Sequence, residues 1–368
     1  MAMKYLKNLA IKTISFLYQM KEERLTNKRL NWDCISKPLE ELSTYSVGIH
    51  KPTIDEYKMT FKVGKKVKFV YDWWYSAVLK DLDENLYFLI LVFHPKWSFY
   101  RIVRIDIGDA EANLWSEPKS TIVDKYFRER MGYIEREGAI QIWTQETRKS
   151  QSSEKSFARS KIKVGQSLLT IKKDNVRASL TFKSIGLPFW INKGREATCS
   201  PRGDTMSGFY DICQVKGSII QGSSKIELNG VGINEHLMSF TPPTRFWERV
   251  DGIFLCTDQL YCAFIYMKNK VGTKQYEYKD GAVYIRITDE YLIPLDFKIE
   301  YLELDHLRKL PIRIRISADT AKGELTIVAQ AAAEIEKQLA LKIVDGQFAF
   351  KDGRKLTLTN GYGQHALH

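Results

Sequence analysis

The feature that most limits what this chain can fold into is its alternation. From Lys65 onward, apolar and polar residues alternate in short runs rich in Val, Ile, Phe, Tyr and Trp. Clusters of Gly, Asn, Asp, Ser and Lys separate the runs. Period-two alternation with regularly spaced turn residues is the pattern of antiparallel strands. "KVKFVYDWWYSAVLK", "LYFLILVF" and "SFYRIVRIDI" make a first meander, with "DLDEN" as a turn. "LYFLILVF" is apolar on both faces, so it is expected between a core and a second layer. Residues 121–135 break the pattern and read as a helical or irregular stretch. Strands resume at "AIQIW", "GQSLLTIKKDNVRASLTFKS" and "YDICQVKGSIIQGSSKIELNGVGINEH", where "KKDN" and "QGSSK" read as hairpin turns.

"FTPPTRFW" then interrupts the strands, and its adjacent prolines Pro242 and Pro243 mark a domain junction. The strand pattern starts again after it, from "DGIFLCTDQLYCAFIYM" to the C-terminus. Two halves of strand-rich sequence predict an all-β protein of two antiparallel barrels. The expected division is 1–54 for a lead-in, 55–245 for a first barrel and 246–368 for a second. A short internal repeat agrees with this. "KIELNGVGINEH" (residues 225–236) and "KLTLTNGYGQHA" (residues 355–366) each run a strand into Gly-x-Gly and a histidine. Each stretch is expected to be the last strand of its barrel, its glycines marking a bulge or a close backbone approach.

The lead-in differs from the rest. Leu6, Leu9, Ala10, Ile14 and Leu17 recur at helical spacing among Lys4, Lys7, Lys12 and Lys21. Residues 1–70 hold 14 basic and 7 acidic residues, so +7 of the net +12 lies there. Lys12 breaks the apolar run, so it reads neither as a signal peptide nor as a membrane span. Two readings stay open: a helix packed on the body, or an amphipathic helix lying on an anionic membrane. No zinc-finger, RNP or phosphate-loop pattern accompanies the basic charge, so no nucleic-acid partner is expected. The five cysteines, Cys34, Cys199, Cys213, Cys256 and Cys262, form no Cys-x-x-Cys pair. An odd number of scattered thiols fits a reducing, cytoplasmic setting.

The residues of two blocks resemble a known group. The first is Asp72-Trp73-Trp74-Tyr75 on an early strand, followed by a turn and an apolar strand. The second is the hairpin "VKGSIIQGSSKIELNGVGINEHLMS", with Gly217, Gly222, Gly230, Gly232, Glu235 and His236. Together they resemble the lipocalin-like superfamily of carotenoid 1,2-hydratase and AttH-like proteins. Tocopherol cyclases and fungal Diels–Alderases are its more distant relatives. The resemblance implies two lipocalin-like barrels side by side and an apolar small-molecule ligand. It also implies a Trp-rich start to the second barrel, matched here by Trp247. The departures are specific. Asp72 stands for glutamate, Glu235 for aspartate, Met238 for tryptophan and Ser239 for glycine. The family's acid in the next barrel strand has no counterpart in "CAFIYMK", which offers Tyr266 and Lys268.

Each candidate residue carries a plain and a functional reading. On a strand, Trp73 and Tyr75 share one face, and Asp72 and Trp74 the other. One set is expected inside the barrel and the other against the neighbouring barrel. Burying a tryptophan stabilises by about 2–3 kcal/mol, so core packing alone accounts for the block. The functional reading is an aromatic lining for an apolar ligand, with Trp73, Trp74, Tyr75, Trp247, Met238 and Tyr266 as its walls. Such rings also stabilise carbocations. Glu235, His236 and Asp72 are the candidate acid–base groups. Glu235 and His236 are neighbours, so an unbulged strand points them to opposite faces. His94, His236 and His365 have no metal-ligand spacing, and His365, near the chain end, is expected to be loosely held. No metal and no cofactor are expected. Three functions remain open: a cofactor-free hydratase, cyclase or isomerase; a lipid carrier or assembly protein at a membrane; and a structural pair of filled barrels.

Overall fold

Residues 48–57, 70–94, 97–105, 120–127, 132–136, 138–145, 156–194, 197–198, 205–239, 247–271, 274–305, 307, 309–335 and 337–367 are described by a computed structural model. The first sheet is built from β1 (Val70–Lys80), β2 (Leu86–His94), β3 (Trp97–Ile105), β4 (Ser120–Phe127), β5 (Gly132–Arg136), β6 (Ala139–Gln145) and β7 (Phe157–Lys163). It continues with β8 (Gln166–Lys173), β9 (Val176–Ser184), β10 (Phe189–Trp190), β11 (Ala197–Thr198), β12 (Thr205–Gln221) and β13 (Ser224–Ser239). The second sheet holds β14 (Trp247–Cys256), β15 (Leu260–Val271), β16 (Lys274–Ile285), β17 (Glu290–Leu292) and β18 (Pro294–Asp305). Its remaining strands are β19 (Leu310–Thr320), β20 (Gly323–Ile335), β21 (Gln338–Phe350), β22 (Lys355–Thr357) and β23 (Tyr362–Leu367).

The two sheets use one plan. In the first, the strand order is β4-β3-β2-β1-β13-β12-β9-β8-β7-β6-β5, with β10 and β11 paired along β12. In the second it is β17-β16-β15-β14-β23-β21-β20-β19-β18, with β22 beside β21. Each sheet places its last strand beside its first, and each curls into a half-barrel. The repeat at Gly-x-Gly therefore marks equivalent closing strands, β13 and β23. Its glycines are close approaches and not bulges, since β13 pairs in unbroken register with both β1 and β12. A Cβ on Gly232 would lie 2.5 Å from the Ser76 carbonyl oxygen, and one on Gly363 would lie 1.8 Å from that of Phe254.

The local chemistry follows the sequence at most turns. Asp81 accepts bonds from the backbone of Asp83 (3.0 Å) and Asn85 (2.9 Å) and from the Tyr87 hydroxyl (3.0 Å), fixing the β1–β2 turn. Gly222 takes φ +61° at the β12–β13 turn. Residues 121–135 depart from expectation: those described, 121–127 and 132–135, are strand, in β4 and β5. "TIVDKYF" buries Val123 and sets Asp124 directly opposite Arg101, paired at 2.7 Å. Cross-strand partners decided this segment, where its mixed composition did not.

The two barrels belong to one compact unit, Thr44–His368. Tyr210, Ile212 and Ile233 pack against Phe254, Tyr261 and Ala263 across a seam. Trp74 and Val78 pack against Ala333, Ile335 and Ala340 at the same seam. Ser76 also donates a hydrogen bond to Gln364 there. The expected N-terminal helix lies outside the described residues. Among the described residues no helix is long and apolar enough to cross a membrane.

Candidate functional site in the first barrel

Register sorts the inner wall of the first barrel into layers. β1, β13 and β12 are neighbours, and residues in register share a face. Trp73, His236 and Phe209 form one layer; Tyr75, Asn234 and Asp211 the next; Ala77, Gly232 and Cys213 the third. All of them but Gly232 are buried, as the inner face of a barrel requires.

The first layer is an aromatic cage around a histidine. The His236 ring stacks on Phe209 at 5.4 Å and meets Trp73 edge-on at 5.2 Å. Tyr57 adds a third ring, 6.1 Å from His236 and 5.1 Å from Phe209. Burial pushes the His236 pKa down to about 3, although a hydrogen bond with the Tyr57 backbone acts the other way. At neutral pH it is an uncharged imidazole.

The second layer is a polar belt. Each member reaches a serine on a different strand. Tyr75 bonds to Ser160 of β7 at 2.7 Å, Asn234 donates to Ser167 of β8 at 3.1 Å, and Ser184 of β9 donates to Asp211 at 2.5 Å. Burial pushes Asp211 up to about 6, against the hydrogen bonds from Ser184 and Tyr57. Asn234 Oδ1 is buried and has no hydrogen-bond partner among the described residues. The third layer is small, and Phe182 fills it: a Cβ on Gly232 would meet that ring at 2.9 Å.

A strap closes the cage from above. Ile54–Tyr57 is a single 3-10 turn that carries Tyr57 into the barrel. Glu56, buried, accepts from His50 at 2.8 Å and from the Thr53 amide at 2.8 Å. His50 stacks on Trp190 at 4.5 Å, and the Trp190 indole donates to the His50 carbonyl at 2.8 Å.

The sequence-derived residues divide between faces. Trp73, Tyr75 and His236 meet inside the barrel. Trp74 is half-buried in the seam. Glu235 is half-buried on the face opposite His236, because β13 has no bulge. Tyr266 belongs to the second barrel, where it bonds to Glu277 and lies 5.2 Å under Arg249. Asp72, Met238 and Trp247 lie on strands, and their side chains lie outside the described residues, as does that of His94. Tyr57, Asp211 and Asn234 were not singled out in the sequence. A carboxylate inside the apolar run "FYDICQV" was the available signal.

His365 is a correction: it is fully buried and firmly held. It donates to Asp251 at 2.6 Å, and Asp251 also accepts from Tyr301 and from Arg249 (2.5 Å). Burial pushes Asp251 up, but His365, Arg249 and Tyr301 outweigh it and hold the carboxyl below its ordinary value. Counted from the shared glycines, Asn234 and not His236 is the counterpart of His365. Beneath this cluster the interior is apolar, from Ile253 and Phe264 to Ile316 and Phe348. Among the described residues, no group of three or more His, Cys, Asp or Glu side chains is arranged to hold a metal ion.

No protein-family model and no curated protein sequence matches the chain. Solved structures do. An AttH protein of Nitrosomonas europaea aligns with a TM-score of 0.51 at 10% identity, over 84% of this chain and 96% of that one. Kievitone hydratase from Nectria haematococca aligns at 0.50 and 11% identity, over 87% and 98%. CghA, with Sch210972, aligns at 0.54 and 10% identity, over 88% and 96%. The chain shares the lipocalin-like two-barrel fold of these proteins along nearly their whole length.

Proposed function

We propose that the chain binds a hydrophobic small molecule, of isoprenoid, lipid or polyketide type, in the first barrel. The observation that carries this reading is the contrast between interiors. The first barrel turns a neutral histidine, aromatic rings and a polar belt inward, with a buried acceptor at Asn234 left unmet. A barrel filled only for stability has no need of such a layer, since each unmet buried polar atom costs about 1–3 kcal/mol. Hydratase and CghA neighbours of the same fold support a ligand-binding or catalytic role. If the site is catalytic, the chemistry is cofactor-free hydration, cyclisation or isomerisation. Asp211 gives its proton to an alkene carbon, Trp73 and Phe209 face the resulting cation, and water adds and returns a proton to Asp211.

A second reading, a non-catalytic carrier, is favoured by one observation. Glu235 and His236 lie on opposite faces, so the sequence's acid–base pair cannot act together. Native mass spectrometry with lipid extraction on protein from its own host separates these readings. A defined bound molecule supports the site, and an empty protein that takes up neither polyenes nor fatty acids overturns it. Asp211→Asn and His236→Ala are then assayed on that molecule. Unchanged product formation in both leaves a carrier.

The domain limits 1–54, 55–245 and 246–368, and a cytoplasmic setting, are part of the same proposal. Contact of residues 1–21 with an anionic membrane is tested by liposome co-sedimentation with and without them. Equal pelleting removes it.

A further inference from the structure

The strap does more than cover the barrel. Tyr57 inserts its phenol into the cage, 1% exposed, with its ring against Phe209 and near His236. Its hydroxyl donates to Asp211 of the polar belt at 3.3 Å. The cage thus holds a flat ring with a hydroxyl at one edge. The ring comes from a segment outside both sheets. Among the described residues, the strap's backbone is tied to the barrel by the Gly48 amide to the Lys193 carbonyl (2.8 Å), by the Trp190 indole to the His50 carbonyl and by a hydrogen bond between the Tyr57 backbone and His236. No strand ladder holds it, and its Glu56–His50–Thr53 knot is internal. A segment so fastened opens at lower free energy than the strands around it.

We propose that Tyr57 is a built-in plug that occupies the ligand's place, and that the ligand is a planar ring or conjugated system carrying a hydroxyl donor. This rests on the proposed site in the first barrel and adds both its occupant's chemistry and its gate. The ligand's hydroxyl takes the position of the Tyr57 hydroxyl, within reach of the Asp211 carboxyl. Asn234, beside Asp211 in the same layer, offers the unmet acceptor Oδ1 to a second donor. Binding displaces the strap, so ligand and Tyr57 compete.

The test uses the full chain with 2-naphthol as probe and naphthalene as its match without a hydroxyl. Binding is read by quenching of tryptophan fluorescence, and hydrogen exchange is followed at residues 48–57. Tyr57→Ala is expected to bind 2-naphthol about tenfold tighter than the wild type. Naphthalene should bind at least tenfold more weakly than 2-naphthol to both. In the wild type, 2-naphthol should speed exchange across the strap. His50→Ala loosens the strap without touching the cage and should tighten binding severalfold, which keeps the test open if Tyr57→Ala does not fold. The plug is overturned if 2-naphthol binds all three proteins equally and the strap stays protected; the barrel site then survives without its gate. The hydroxyl preference is overturned if naphthalene binds as well. If neither probe binds any of the three, the proposed site falls together with the plug.

Discussion

The two barrels share a strand plan and differ in what they enclose. In the first, polar side chains cross the interior as a belt of hydrogen-bonded partners, each pair joining different strands. In the second, charge is gathered in one knot, Arg249–Asp251–His365–Tyr301, and the interior beneath is aliphatic and aromatic. Arg249 is further held between rings, 4.1 Å from Tyr301 and 5.2 Å from Tyr266. The difference teaches that strand plan and interior are separable in this fold. Each sheet pairs its first strand with its last, while a few inward positions set what it encloses.

The largest loss at neutral pH that would break this comparison lies in the second barrel. Asp251→Ala leaves the buried His365 and the half-buried Arg249 without their carboxylate and is expected to cost about 3 kcal/mol, measured by urea unfolding. Replacing Arg249, Asp251 and His365 together by apolar residues should cost less than the single change. A larger loss in the triple variant would mean that the knot stabilises the barrel on balance and is not simply tolerated.

Next comes the pH response of the first barrel. The folded-state pKa of His236 is depressed to about 3 from 6.5, so its contribution is lost as pH falls below about 6.5. Asp211 is raised to about 6 from 3.8, so its contribution is present below pH 4 and lost as pH rises through 6. The Asp211 shift is worth on the order of 3 kcal/mol and the His236 shift on the order of 5 kcal/mol, and between pH 4 and 6 they oppose one another. Relative to the wild type, Asp211→Asn should gain stability from pH 4 to pH 7, and His236→Phe should gain it from pH 7 to pH 4. Parallel curves for variant and wild type would show that neither group titrates inside the barrel.

Smaller still is the seam. Ser76→Ala removes the bond to Gln364 and is expected to cost about 1 kcal/mol. Glu235→Gln, on the seam face, should leave ligand binding in the first barrel unaltered. A strong loss of binding in Glu235→Gln would move the site from the first barrel to the seam.

Much of this was legible in the chain. Alternation gave the strands, and the Gly-x-Gly repeat the equivalent last strands, β13 and β23, of the two sheets. The split of Trp73 and Tyr75 from Trp74 followed from the two-residue period of a strand, and so did the separation of Glu235 from His236. Residues 121–135 misled because their pairing partners, β3 and β6, supply the reason for a strand and lie outside the window that composition reads. His365 misled because nearness to a chain end says nothing of a buried partner 114 positions away.

What the sequence by itself determined was periodicity: which residues form strands, where the chain turns, and which side chains share a face. These are local consequences of backbone geometry and side-chain shape. What only the tertiary structure decided was which faces meet. Asn234 lies between Tyr75 and Asp211, and Tyr57 lies over Asp211, 154 positions away, because register between distant strands and one inserted turn put them there. Such pairings depend on the whole sheet being in place, so no local window contains them.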